Sequence, residues 1–215
     1  DWSSDVCSSD LVLSGPSHAE EVARGVPTAV VVAANDTERA GTVQQAFMNE
    51  RFRIYTHDDV PGVELGGALK NVIAIAAGVC DGMGFGDNTK AALCTRGLAE
   101  MARLGVACGA RRETFFGLSG VGDLVVTAFS AHSRNRSFGE RLGRGESAQQ
   151  ILDSTKTVAE GVRTARSLHQ LAAASGGVET PIAAQVYAIL YGNKSPAQAV
   201  QDLMARDAKA EFEQE

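Results

Sequence analysis

Val60-Pro61-Gly62-Val63-Glu64-Leu65-Gly66-Gly67-Ala68-Leu69-Lys70-Asn71-Val72-Ile73-Ala74-Ile75-Ala76-Ala77-Gly78-Val79-Cys80 is the stretch in which the chain changes character. From Pro61-Gly62 onward, Ala, Leu and Gln recur at three- and four-residue spacing down to about residue 210, which is the period of helices. Expected helices cover about 62–80, 89–108, 134–142, 158–174, 181–191 and 196–211, with further helical turns between Glu113 and Ser130. Ser195-Pro196 and Pro181 read as helix starts, and Gly176-Gly177 and Gly192 as stops. Upstream, the apolar residues come instead in short runs: Leu11-Val12-Leu13, Ala29-Val30-Val31-Val32-Ala33 and Phe52-Arg53-Ile54-Tyr55. These are strands by length and β-branched content, and they alternate with helical stretches at His18 to Arg24 and Thr37 to Met48. The Val-rich middle run lacks polar alternation, so it should be covered on both faces. An α/β unit over residues 11–60 followed by an all-helical unit over 61–215 is the expected architecture.

The first ten residues, DWSSDVCSSD, fit neither unit and carry no signal-peptide pattern. They resemble the in-frame translation of a sequencing adaptor and are read as an artefactual leader, with sequence expected to be missing upstream of Leu11.

Composition narrows the function classes. With 44% hydrophobic and 21% charged residues in 215, the chain can bury a core and is not disordered as a whole. A net charge of −6 gives no global positive field for nucleic acid or an anionic membrane. The longest uninterrupted apolar run, Val72 to Cys80, has 9 residues, against the roughly 18–20 that cross a bilayer, so no membrane insertion is expected. The four cysteines form no C-x-x-C pair and no zinc-ligand pattern, which favours a reduced compartment and no structural metal.

Lys70 is the sharpest anomaly. It is the only charge between Leu65 and Cys80 and shares its helical face with Gly66, Gly67, Ile73, Ala74 and Ala77. One reading is a lysine snorkelling to water past short neighbours. The other is an ammonium held in a cleft and suited to exchanging a proton with a substrate oxygen. A second constellation is Gly120-Val121-Gly122-Asp123-Leu124, then Thr127, then His132-Ser133-Arg134-Asn135-Arg136. Asp123 alone fits a helix cap. Ser133-Arg134-Asn135 ahead of a short helix combines hydroxyl, guanidinium, amide and backbone N–H groups, an arrangement suited to an anion. Thr157-Val158-Ala159-Glu160 fits a capping box. Gly82-Met83-Gly84-Phe85-Gly86 reads as a joint, and no G-x-G-x-x-G occurs.

In order and spacing, Ser14-Gly15-Pro16-Ser17-His18-Ala19, Gly66-Gly67-Ala68-Leu69-Lys70-Asn71-Val72, Gly120-Val121-Gly122-Asp123-Leu124, Ser133-Arg134-Asn135-Arg136 and Val158-Ala159-Glu160-Gly161 resemble motifs of the bacterial-type NAD(P)-dependent glycerol-3-phosphate dehydrogenases. The resemblance implies the C-terminal remnant of a Rossmann domain at 11–60 and, at 61–215, an all-α substrate domain of the 6-phosphogluconate-dehydrogenase-like type. It implies hydride transfer between NAD(P)H and dihydroxyacetone phosphate, giving sn-glycerol 3-phosphate for glycerophospholipid synthesis in the cytoplasm. By the same resemblance Lys70 is the catalytic acid/base. Gly15, Ser17, Lys70, Asp123, Ser133, Arg134 and Asn135 contact the substrate, and Ala19, Arg134, Val158 and Glu160 contact the NAD or NADP cofactor. Asn71 and Thr127 are expected to line the same cleft. The partner expected is a small phosphorylated molecule, with a homodimer allowed. The family's Gly-rich loop is absent from these residues, so the chain alone is expected to bind NAD(P)H weakly or not at all and to be inactive by itself. Two alternatives remain: a related β-hydroxyacid or 6-phosphogluconate-type dehydrogenase, and a non-catalytic helical interaction module.

Overall fold

The computed structural model describes residues 11–155 and 158–211; the ten-residue leader lies outside them. Three strands, β1 (Leu11–Ser14), β2 (Thr28–Ala34) and β3 (Phe52–His57), form one sheet in the order β1-β2-β3. Between them run α1 (Ala19–Ala23) and α2 (Thr37–Phe47). Asp36 caps α2 by accepting from the Glu38 N–H. β2 is covered on both faces as its composition required. Val30, Val32 and Ala34 pack with Ala40 and Ile54 on one side, and Val31 and Ala33 pack with Val60 and Val63 on the other.

β2 and β3 run parallel, but β1 is antiparallel to β2, Leu11 facing Ala34 and Ser14 facing Val31. Strand–helix–strand alternation suggests a parallel crossover for both connections. The five residues of α1 are too few to return the chain along the sheet, so the segment turns back instead.

The helical unit is built around α3 (Val60–Gly82), followed by α4 (Asp87–Ala107). Asp59 starts α3: its carboxylate accepts from the Gly62 N–H at 3.0 Å, from the Arg111 N–H at 2.9 Å and from the Thr114 hydroxyl at 2.5 Å. The nine-residue apolar run understates this helix. Its 23 residues, with mean hydropathy 1.5 over the best window, are long and apolar enough to cross a membrane by those measures, but 72% of that window is buried inside the fold. A 3-10 turn (Arg112–Phe116) and a π-type turn (Leu118–Gly122) lead to α5 (Asp123–Phe129), and then come α6 (Arg134–Gly143), α7 (Ala148–Ser154), α8 (Glu160–Ala174), α9 (Pro181–Tyr191) and α10 (Pro196–Met204).

Three expectations change. The last helix stops at Met204 rather than running to 211. α7 was not expected, although Ser147-x-x-Gln150 is a capping box: the Gln150 N–H donates to Ser147 Oγ and the Ser147 N–H to Gln150 Oε1. The helix expected from 158 begins instead at Glu160 with Ala159 before it, which makes Glu160 the first helical residue and not the third as the box at Thr157–Glu160 requires. Thr157 itself lies outside the described residues.

α9 has no side-chain cap of its own. Buried Glu100 of α4 supplies it, Oε1 accepting from the Ile182 N–H at 2.8 Å and Oε2 from the Ala183 N–H at 3.2 Å. Burial pushes the Glu100 carboxyl up to about 7 from 4.5, against the pull of those two N–H groups. A carboxyl raised in the folded state favours folding while protonated, and that contribution is lost as pH rises from about 4.5 through about 7. Between those pH values the stability of Glu100→Gln should gain on wild type by on the order of 2–3 kcal/mol. Urea unfolding of both chains across that range measures it, and a constant difference would show that Glu100 does not titrate there.

Candidate active site

A cleft of about 890 Å³ opens between the ends of β1 and α3, α5 and α6. Its wall includes Gly15, Ser17, Lys70, Asn71, Asp123, Thr127, Arg134, Asn135 and Glu160. Residues spread over 146 positions of sequence thus converge on one cavity.

The Lys70 ammonium is paired with the Asp123 carboxylate, the two side chains being 17% and 5% exposed. Lys70 therefore does not snorkel; its charge is met inside the cleft. Asp123 is brought to it by the π-type turn, a local widening of the helical coil common at functional sites. That turn sits against α3 because Gly66 and Gly120 carry no Cβ: one at Gly66 would lie 2.7 Å from the Ser119 carbonyl oxygen, and one at Gly120 2.0 Å from that of Phe115. Asp123 is the first residue of α5 rather than its cap. Burial pushes its carboxyl up, opposed in turn by the Lys70 ammonium, the Thr127 hydroxyl and His18. The Thr127 hydroxyl lies 2.6 Å from the Asp123 carbonyl oxygen and 3.3 Å from Oδ1.

Asn135 is buried and acts as a clasp between three helices. Its Nδ2 donates to Asn71 Oδ1 at 2.9 Å, and its Oδ1 accepts from the Gly161 N–H at 2.8 Å. Ser133 is also buried and does not line the cleft; it caps α6 by accepting from the Arg136 N–H at 3.2 Å. Arg134, half exposed, meets Glu160 with Nη2 to Oε1 at 2.5 Å. Gly15 has φ of 142°, a conformation that favours glycine, and a Cβ there would approach the Val30 Cα to 3.0 Å. Ser17 Oγ donates to the Gly15 carbonyl at 3.0 Å. Ala19 and Val158 are exposed and do not line the cavity.

The sequence profile of the N-terminal part of NAD-dependent glycerol-3-phosphate dehydrogenases matches residues 5–40, and that of their C-terminal part matches residues 59–201. The chain belongs to the NAD-dependent glycerol-3-phosphate dehydrogenase family. It is 57% identical over 204 residues to the glycerol-3-phosphate dehydrogenase of Pelotomaculum thermopropionicum, covering 95% of this chain and 58% of that one. The corresponding figures for an enzyme of the same name from Salinibacter ruber are 58% over 199 residues, 93% and 58%. Among solved structures, glycerol-3-phosphate dehydrogenase from Coxiella burnetii superimposes with a TM-score of 0.88 at 43% identity, over 91% of this chain and 60% of that one. The chain thus spans about three fifths of the length of these family members.

Three cleft-associated features had not been read from sequence. Glu64 and His18 line the wall, the first hidden by its place in an apolar helix start and the second by the absence of a nucleophile beside it. The third is a buried network behind α6. Lys90 Nζ donates to both oxygens of Asp81 at 2.9 and 2.8 Å, and Arg136 Nε donates to Asp81 Oδ2 at 2.6 Å. It ties the start of α6 to the end of α3 and so holds Arg134 and Asn135 at the cleft.

Proposed function

We propose that this chain is the substrate-binding and proton-transferring part of an enzyme interconverting dihydroxyacetone phosphate and sn-glycerol 3-phosphate. The observation that carries the proposal is the Lys70–Asp123 ion pair enclosed in a cleft whose other cation is Arg134. In the reducing direction, Lys70 Nζ gives a proton to the C2 carbonyl oxygen, and in the reverse direction it takes that proton back. Asp123 holds the ammonium in the cleft and aims it. Arg134 meets the phosphate end, where its guanidinium offers paired donors to phosphate oxygens. Gly15 brings backbone close to the substrate, beside Ser17. Ser133 and Asn135 fix the first turn of α6 and line up Arg134, and the second amide proton of Asn135 is left for the substrate.

Arg134 and Glu160 at the cleft mouth, a guanidinium beside a carboxylate, suit the donors and acceptors of a nicotinamide nucleotide; Ala19 and Val158, outside the cavity wall, are assigned to the same cofactor by family resemblance alone. When bound, NAD or NADP supplies or accepts the hydride at C2. In this reading the 215 residues alone are inactive, and the complete enzyme is cytoplasmic.

The test joins residues 11–215 to the cofactor-binding half of a family member. Such a chimera should oxidise NADH with dihydroxyacetone phosphate and not with the keto forms of β-hydroxyacids or 6-phosphogluconate. A chimera that folds and binds NADH yet shows no dihydroxyacetone phosphate-dependent oxidation would sink the proposal.

A further inference from the structure

A second cavity, of about 870 Å³ and so nearly as large as the cleft, opens between the turn after α6, α7, α8 and the turn joining α9 to α10, and it shares no wall residue with the cleft. Its size is that of a small-molecule site. Leu152, Val162, Ile189 and Leu190 supply an apolar wall, and four charged side chains join them: Glu146, Arg163, Arg166 and Lys194. Glu146 is already neutralised by Arg141, whose Nε donates to Oε1 at 2.8 Å, and Lys194 by Asp202. Arg163 and Arg166 are different: neither forms an ion pair or donates a side-chain hydrogen bond among the described residues. They stand three apart on α8, so two guanidiniums without a counter-charge meet in one cavity of a chain whose net charge is −6. Like charges at that spacing repel, and an anion held between them reverses the sign of the interaction. Arg166 is fixed in place. Its Cζ lies 4.4 Å from the centre of the Tyr191 ring, and the Tyr191 hydroxyl donates to the Val162 carbonyl at 2.7 Å.

We propose that this cavity is a second ligand site, independent of the cleft, for an organic phosphate with an apolar body. Arg163 and Arg166 share the phosphate, each offering paired N–H donors to its oxygens. A phosphate monoester carries a charge of about −1.5 to −2 at pH 7 and so matches two guanidiniums, whereas a carboxylate matches one. The apolar body lies against Leu152, Ile189 and Leu190. A phosphorylated triose has nothing apolar to set there, so the ligand is not the molecule assigned to the cleft. The inference does not depend on the reaction assigned to the cleft.

The experiment titrates phenyl phosphate and, separately, inorganic phosphate into the isotope-labelled 215-residue chain and follows the NMR resonances of Leu190 and Tyr191. Phenyl phosphate should shift them saturably, should bind about tenfold more tightly than inorganic phosphate through its ring, and should weaken as salt is added. Arg163→Gln/Arg166→Gln removes two exposed side chains, so its urea midpoint should stay near that of wild type while phenyl phosphate binding falls by about tenfold to a hundredfold. Arg134→Ala, which removes the arginine of the cleft, should leave the shifts at Leu190 and Tyr191 unchanged. Shifts confined to residues of the cleft, a double variant that binds as wild type does, equal affinity for inorganic phosphate, or no saturable shift at all would each overturn the proposal and leave the reading of the cleft untouched.

Discussion

Lys70→Ala in the chimera should lower the rate of dihydroxyacetone phosphate reduction by about 10²–10⁴, the usual contribution of a positioned proton donor. KM should move far less than kcat, because the proton is transferred in the transition state whereas the phosphate contact proposed for Arg134 is the same in both states. The substitution also strands Asp123, 5% exposed, without its counter-charge, and breaking a buried pair costs about 3–5 kcal/mol unless the carboxyl protonates. Burial already pushes that carboxyl up, which favours protonation once the ammonium is gone. The double variant Lys70→Ala/Asp123→Asn separates the two effects: it should recover much of the lost stability and none of the lost turnover. Turnover within about tenfold of wild type in a folded Lys70→Ala chimera would remove Lys70 from the chemistry.

The second large effect lies away from the cleft. α3 and α6 run in the same direction and touch backbone to backbone through glycines spaced four apart, Gly78 and Gly82 on one and Gly139 and Gly143 on the other. A Cβ at Gly139 would lie 2.0 Å from the Ile75 carbonyl oxygen, and one at Gly78 1.9 Å from that of Arg136. No side chain can swing aside to make room, so Gly139→Ala must push the helices apart. The expected loss is about 3 kcal/mol, the upper end of ordinary overpacking. Because Asn135 and Arg134 ride on the first turn of α6, substrate affinity should fall with it. Gly41→Ala is the contrast: within α2, with nothing within 4 Å of its added methyl, it should stabilise by about 0.5–1 kcal/mol. Urea unfolding of the three chains checks both signs, and a Gly139→Ala chain as stable as wild type would mean that the helices are not in backbone contact.

How legible each feature was depended on what a single residue reveals about its own surroundings. Lys70 stood out because one charge in an apolar helix is improbable without a reason, and the structure supplies the reason in Asp123, 53 residues later. The double-sided burial of β2 was readable from its unbroken Val run. Asn135 was legible as a cleft residue but not as a clasp, and Ser133, expected at the substrate, is instead a cap outside the cleft wall, since capping and clasping depend on where α6 meets α3 and α8. Glu100 gave no signal at all, because a glutamate in a helix looks solvated until the blunt end of another helix is placed over it. His18 gave no signal of its own, because the enclosure of its ring exists only in the folded cleft.

The sequence by itself determined the two-part architecture, the helix and strand positions to within a few residues in most cases, and the singularity of Lys70 as a charge in an apolar helix. Hydrophobic period and local capping chemistry are properties of neighbouring residues, so they survive in one dimension. The antiparallel placement of β1, the glycine contact of α3 with α6, the Asn135 clasp and the enclosure of His18 were decided only by tertiary structure. Each depends on two segments distant in sequence reaching contact distance, and steric fit and polar pairing at that range leave no periodic trace in either segment alone.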